Sequence, residues 1–416
     1  MDRAKLIDAK SYREFAGASW PSYEDFIKNV SVADSEIQQE LDQFIGVMQD
    51  RYSNLNLGRG EELAEANQLR QRQQFYNKNV IPGNVCRIPW NTLGINTNGE
   101  LFICSSPSWI PKFVGNILEV DNIYTALNSD AAKSIRQEIL AGRYYYCNEK
   151  LCSYFGKLSK EKYSINTADT VPAELADDDQ LLVTQIPRNL IFDFDYTCNF
   201  KCPSCRTELL NWNTHHLIRP INDRIVEKIK HLVIDQIGTQ LVSIRWAGGE
   251  PFLSEPYLDL FDYIIASGKT NIQNIIQTNG SYLKSRIVEH LLPYISELRI
   301  SFDAATAETY AKTRVNGNWN KLLENVKYIK DVIERSGAHT RLTADYVVQL
   351  DNYQEIPAFV EICRGFGIGF NLQKMWNWGT WSDEVFTQNN VYNPDHPKYE
   401  DLKQYFKLAG QQVLNG

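Results

Sequence analysis

From residue 189 onward, strand-length apolar runs alternate with helical patterns, and this alternation constrains the fold more than any other feature of the 416-residue chain. The predicted strands are 189–197, 242–247, 274–278, 297–303, 341–348 and 368–375. Runs with helical spacing lie between them, such as Tyr257–Ser267, Ile287–Ile295 and Leu322–Glu334. Strand–helix alternation implies a parallel sheet or barrel. Six units fall two short of a closed eight-stranded barrel. The expected fold class is therefore α/β, a partial (β/α)6 barrel over 189–375.

Parity within these strands separates two faces. Arg299, Ser301 and Asp303 oppose Leu298, Ile300 and Phe302, and Asp193, Asp195 and Thr197 oppose Phe192, Phe194 and Tyr196. Thr343 and Asp345 share a parity, as do Asn371 and Gln373. A buried parallel strand is apolar on both faces. One polar face in several strands points to a curved sheet around a wet cavity, or else to a face in solvent. On the first reading Thr343, Asp345, Asn371 and Gln373 lie on the side of Ser301 and Asp303 and are the expected substrate contacts.

The first strand runs into Cys198-Asn-Phe-Lys-Cys202-Pro-Ser-Cys205, a C-x3-C-x2-C spacing at a strand's C-terminal end, where such folds place active sites. Three thiolates suit an iron–sulfur cluster with one iron left open for another ligand; a structural zinc site with a fourth ligand elsewhere is the alternative. The second strand ends in Gly248-Gly249-Glu250-Pro251, where glycines allow close approach to the backbone and Glu250 can accept a charge-assisted hydrogen bond. The third ends in Gln277-Thr278-Asn279-Gly280, which on its own could equally be a plain turn.

Together these elements resemble the radical S-adenosylmethionine (SAM) superfamily, over about 189–375. The resemblance implies a [4Fe–4S] cluster on Cys198, Cys202 and Cys205 whose open iron is chelated by SAM. It also implies reductive cleavage of SAM to a 5′-deoxyadenosyl radical. Gly248, Gly249, Glu250 and Thr278 then belong to the SAM site. Ser301 and Asp303 are placed at the ribose, and Arg314 at the SAM carboxylate. An external electron donor such as flavodoxin or ferredoxin is implied as well.

A second cysteine cluster precedes the barrel: Cys86, then Gly99-Glu-Leu-Phe-Ile-Cys104, then Cys147 and Cys152. Asn98-Gly99 between apolar runs signals a hairpin, and a helix is expected near 126–140. This resembles the SPASM/twitch module, which implies an auxiliary [4Fe–4S] cluster on Cys86, Cys104, Cys147 and Cys152. A zinc site with four cysteines is the alternative. The eighth cysteine, Cys363, sits in a helical pattern and reads as a core thiol.

The expected organisation is a helical region over 1–80, an α+β twitch/SPASM-like domain over 81–160 and a linker over 161–188. The barrel follows over 189–375, then an aromatic-rich tail over 376–416. A net charge of −8 without a Lys/Arg-rich run argues against nucleic acid. No apolar stretch reaches the length of a membrane span. The start lacks the apolar region of a signal peptide, and the expected location is cytoplasmic. The expected activity is radical SAM catalysis, with peptide modification in natural-product biosynthesis as the first substrate class. A sugar or other small molecule is the second, and a non-enzymatic iron–sulfur scaffold is the alternative from another class.

Overall fold

The computed structural model describes residues 85–107, 109–110, 112–142, 144, 146–147, 152, 170–171, 181–206, 208–216, 218–377 and 380–411. The expected N-terminal helical region, most of the expected linker, and Trp378 of the aromatic tail lie outside the described residues. The chain divides into two compact units, Met1–Phe194 with His216–Val242, and Asp195–His215 with Ser243–Asn415. Among the described residues, no helix is long and apolar enough to cross a membrane.

In the first unit, β1 (Val85–Cys86) pairs antiparallel with β5 (Thr170–Val171). The expected hairpin forms from β2 (Thr92–Asn96) and β3 (Glu100–Phe102), with Gly94 opposite Phe102. Its turn needs left-handed backbone at two positions, and Asn98 (φ 60°) and Gly99 (φ 80°) supply it. β4 (Gly115–Asn116) extends the hairpin, and β6 (Asn189–Asp193) runs parallel to β2. The expected helix near 126–140 is two helices, Ile123–Leu127 and Asp130–Leu140, separated where the Ser129 side chain caps the second by accepting from Ala132 N–H. Arg136 of that second helix is fully buried. Its guanidinium donates to the carbonyls of Pro89, Leu127 and Leu181 at 2.7–3.1 Å and ties three segments together.

In the second unit, β7 (Val242–Trp246), β8 (Ile272–Thr278), β9 (Ile295–Ser301), β10 (Arg341–Val348) and β11 (Gly369–Lys374) lie in that spatial order. The pairings β8–β9, β9–β10 and β10–β11 are all parallel. All six strands expected from the sequence are present, and each of β6 to β10 is followed by a helix before the next strand. Alternate residues are buried along β7 and β8. Trp246 packs edge-to-face with Tyr257 and tilted against Phe261 of helix Glu255–Ala266, and Tyr346 lies 4.4 Å, centroid to centroid, from Phe359 of helix Ile356–Phe366. These contacts identify the helix-packed face. The opposite face carries the polar parity set.

The C-terminal ends of β6 and β9 fall short of expectation in a way that moves predicted site residues. β6 stops at Asp193, because Asp195 Oδ1 accepts from Thr197 N–H at 2.7 Å and turns the chain. Asp195 and Thr197 are therefore fully buried loop anchors, not members of a polar strand face. β9 stops at Ser301, and Asp303 takes a left-handed φ of 53°. Parity cannot be carried past Ser301, so Asp303 leaves the face on which the sequence placed it.

Candidate active site

The cysteine loop is built by short-range backbone bonds. Cys198 N–H donates to Leu210 O at 2.8 Å, and Cys205 and Arg206 N–H both donate to Cys202 O at 2.9 and 3.0 Å. Each sulfur receives an N–H. Cys198 Sγ accepts from Phe200 N at 3.4 Å and Asn279 Nδ2 at 3.8 Å, Cys202 Sγ from Arg314 Nη1 at 3.6 Å, and Cys205 Sγ from Arg206 Nη2 at 3.6 Å. Burial pushes the Cys198 thiol up and the Cys202 thiol up to about 11, with Arg206 and Arg314 respectively the main opposing influences. Three sulfurs, two on buried cysteines and one on the half-buried Cys205, each with an N–H donor and two beside a guanidinium, fit a thiolate-ligated cluster.

The Gly-Gly-Glu-Pro turn is laced to this loop: Gly249 N–H donates to Asp195 O at 2.9 Å and Glu250 N–H to Thr197 O at 2.7 Å. A Cβ on Gly249 would lie 2.0 Å from Thr197 O. The second glycine is thus required by backbone packing. Gly248 has φ 94°, and its carbonyl accepts from Arg206 at 3.3 Å.

Glu250 is 1% exposed. Its Oε1 accepts from Thr278 Oγ1 at 2.7 Å and Phe252 N at 3.3 Å, and its Oε2 from Asn279 N at 2.7 Å. Burial outweighs these donors and raises the carboxyl to about 7. Oε2 accepts this one hydrogen bond and has capacity for another.

Ser301 is buried and accepts from Gln277 Nε2 at 3.0 Å. Asp303 is committed within the protein: Oδ1 accepts from Val347 N at 2.7 Å, and Oδ2 pairs with Arg314 Nη2 at 2.6 Å. Arg314 is held charged: burial opposes its charge, but Asp303 and Cys202 outweigh it and raise its pKa. Its Nε is buried without a hydrogen-bond partner.

The expected substrate side chains divide into two groups. Asp345 is the register partner of both Ser301 and Asn371. It accepts from Asn371 Nδ2 at 2.8 Å and hydrogen-bonds Gln277 and Gln373. Burial raises its carboxyl. Thr343 turns instead to Glu297, donating at 2.7 Å. Despite burial, Arg341, Thr343 and Arg299 hold Glu297 below the usual carboxylate range. Sequence reasoning missed Arg206, Asn279, Gln277 and Arg299 as members of this constellation. Arg206 directly follows the last cysteine, and Gln277 and Arg299 lie on strands whose alternation was already legible.

In the first unit, Cys86, Cys104, Cys147 and Cys152 line one cavity with Pro89, Trp109, Ile139 and Tyr144. Cys86 N–H donates to the Tyr144 hydroxyl at 3.2 Å. Burial raises the Cys104 thiol, and Cys86 and Cys152 raise it further. Among the described residues, no group of three or more His, Cys, Asp and Glu side chains is gathered so as to hold a single metal ion. Cys363 is wholly buried in helix Ile356–Phe366 and raised to about 12 by burial, as expected of a core thiol.

Residues 194–361 match the Radical SAM superfamily. A probable GTP 3′,8-cyclase of Saccharolobus islandicus is 22% identical over 173 residues, covering 42% of this chain and 52% of that protein. One of Saccharolobus solfataricus is 21% identical over 175 residues. The chain thus spans about half the length of the curated relatives it matches. Among solved structures, native anSMEcpe with bound AdoMet is similar at 17% identity and a TM-score of 0.37, over 54% of this chain and 62% of that one. The radical S-adenosylmethionine methyltransferase TsrM from Kitasatospora setae is similar at 12% identity and a TM-score of 0.32, over 44% and 36%. Residues 194–361, which contain Cys198, Cys202, Cys205 and the Gly-Gly-Glu-Pro turn, thus carry a radical SAM domain.

Proposed function

We propose that this chain is a radical SAM enzyme that abstracts hydrogen from a C–H bond of a polar substrate. The observation that carries this reading is the loop at 198–205, where all three cysteine sulfurs are buried or half-buried and each accepts an N–H. Cys198, Cys202 and Cys205 would hold a [4Fe–4S] cluster. When bound, the cluster and SAM supply one-electron cleavage of the sulfonium and, from it, hydrogen abstraction at an unactivated C–H bond.

The chain's own residues hold and orient. Glu250, fixed by Thr278 and Asn279, accepts from the SAM amine beside Gly248 and Gly249. Ser301 faces the polar side of the sheet and serves the ribose. Asp303 acts through Arg314, with which it pairs at 2.6 Å. Substrate lies against Asp345, Asn371 and Gln373, a buried carboxylate and two half-buried amides that require polar partners. Thr343 supports that site through Glu297.

Peptide modification, as in natural-product biosynthesis, is the first substrate class. A small molecule is the second, and one observation favours it: Arg299 lies on the same polar face, and its two contacts to Glu297 are both 3.3 Å, long for a charged pair. That leaves a loosely held guanidinium for an anionic group of the substrate.

The residues around Cys86, Cys104, Cys147 and Cys152 form an auxiliary-cluster domain that holds a second [4Fe–4S] cluster, and a flavodoxin- or ferredoxin-type donor supplies electrons. Iron analysis after anaerobic reconstitution tests this reading. About eight irons per chain are expected, and about four after Cys198, Cys202 and Cys205 are changed together to Ala. Zinc in the four-cysteine cavity would remove the auxiliary cluster, and an iron-free 198–205 loop would remove the proposal.

A further inference from the structure

Superfamily resemblance assigns Arg314 to the SAM carboxylate, but both of its Nη atoms already make contacts within the protein. Nη2 pairs with Asp303 at 2.6 Å, and Nη1 donates to Cys202 Sγ at 3.6 Å. Only 14% of the side chain is exposed.

The clamp around it is extensive. Asp303 Oδ1 is fixed by Val347 N–H at the end of β10, and its carbonyl accepts from Thr313 Oγ1 at 3.1 Å and Asn352 Nδ2 at 3.0 Å. That scaffold holds a non-glycine residue at φ 53°, a conformation that persists where surrounding contacts over-determine it. On the other side, Lys201 N–H donates to Val315 O at 3.1 Å, joining the residue before Cys202 to the residue after Arg314. The guanidinium therefore has a fixed bearing on one sulfur.

We infer that Arg314, aimed by Asp303, is a positioning residue that tunes the reduction potential of the cluster through the Cys202 sulfur. This rests on the proposal that Cys198, Cys202 and Cys205 hold that cluster. A cation that donates an N–H to a ligating sulfur stabilises the reduced state, which carries one more negative charge, more than the oxidised state. The potential rises, and the one-electron reduction on which the chemistry depends becomes easier. Arg206 makes a similar contact to Cys205, but it also holds the carbonyls of Tyr196 and Gly248, so its removal would open the loop. Arg314 permits the cleaner test.

The test is an EPR-monitored potentiometric titration of anaerobically reconstituted full-length protein without SAM. The relevant signal is identified in the parent as the one that changes when SAM is then added. Arg314→Gln removes the charge, and Arg314→Lys keeps the charge but loses the two-pronged contact. The expected result is a midpoint displaced to more negative values in Arg314→Gln and less far in Arg314→Lys, with iron content retained. An unchanged midpoint in both variants, with only SAM binding weakened, would overturn the inference and return Arg314 to the SAM carboxylate. Loss of this cluster's iron in both variants would also overturn it, making Arg314 a scaffold residue. A parent without any such signal would instead overturn the cluster assignment, so the two failures are distinguishable.

Discussion

Replacing Gly249 by Ala tests how the Gly-Gly-Glu-Pro turn is joined to the cysteine loop. The added Cβ would lie 2.0 Å from Thr197 O, 2.6 Å from Tyr196 C and 2.7 Å from Thr197 C. All three are backbone atoms, so no side chain can rotate away. Relief requires the two segments to part by more than an ångström. That breaks the 2.9 Å bond from Gly249 N–H to Asp195 O and the 2.7 Å bond from Glu250 N–H to Thr197 O. Overpacking costs about 1–3 kcal/mol, and each buried backbone pair left unmade adds about 1 kcal/mol or more. The sum, about 3–5 kcal/mol, is a large share of a typical domain's stability. The control is Gly365→Ala in helix Ile356–Phe366, where a Cβ meets nothing within 4 Å; it should stabilise by up to about 1 kcal/mol. Urea denaturation followed by tryptophan fluorescence, together with iron content after reconstitution, reads both variants. Gly249→Ala should lower the urea midpoint and lose the iron expected at 198–205. Parent-like values for both would refute the packing argument.

Glu250→Ala should weaken SAM binding by about 1.5–3 kcal/mol in equilibrium dialysis, the scale of a charged hydrogen bond. Without SAM, the raised carboxyl of Glu250 holds its proton more tightly folded than unfolded. Stability should therefore fall as pH rises from about 4.5 to about 7, by about 3 kcal/mol, and Glu250→Gln should flatten that part of the urea-midpoint profile. Asp345→Ala or Asn371→Ala should leave iron content and SAM binding intact while cutting substrate turnover tenfold or more, measured by product formation against continuing 5′-deoxyadenosine release. Arg136→Met should strand the carbonyls of Pro89, Leu127 and Leu181 at a cost of about 3–5 kcal/mol, read as selective loss of the iron expected at the four-cysteine cavity.

What the sequence made legible was periodic or covalently close. All six strands were found because alternation and apolar runs are local signals, and the Asn98-Gly99 turn was found because few residues adopt its backbone. The triplet at 198, 202 and 205 is fixed by spacing, and the face shared by Ser301, Asp345 and Asn371 followed from parity along single strands. Parity failed where a side chain captured the backbone, at Asp195, and where the chain left the strand, at Asp303. The packing demand on Gly249 comes from Tyr196 and Thr197, more than fifty residues earlier. The commitment of Arg314 to Cys202 spans 112 positions. No local pattern encodes either. Arg136 was missed for a related reason: a cation satisfied by three backbone carbonyls has no acidic partner in the sequence to reveal its burial.

The central claim is that this chain cleaves SAM reductively with a cluster held by Cys198, Cys202 and Cys205. Its most direct test is chromatographic detection of 5′-deoxyadenosine after anaerobic incubation of reconstituted, dithionite-reduced protein with SAM. The account predicts 5′-deoxyadenosine and methionine in equal amounts from the parent and none from Cys202→Ala. Iron-loaded, reduced parent protein that binds SAM but forms no 5′-deoxyadenosine would contradict it, as would undiminished formation by Cys202→Ala.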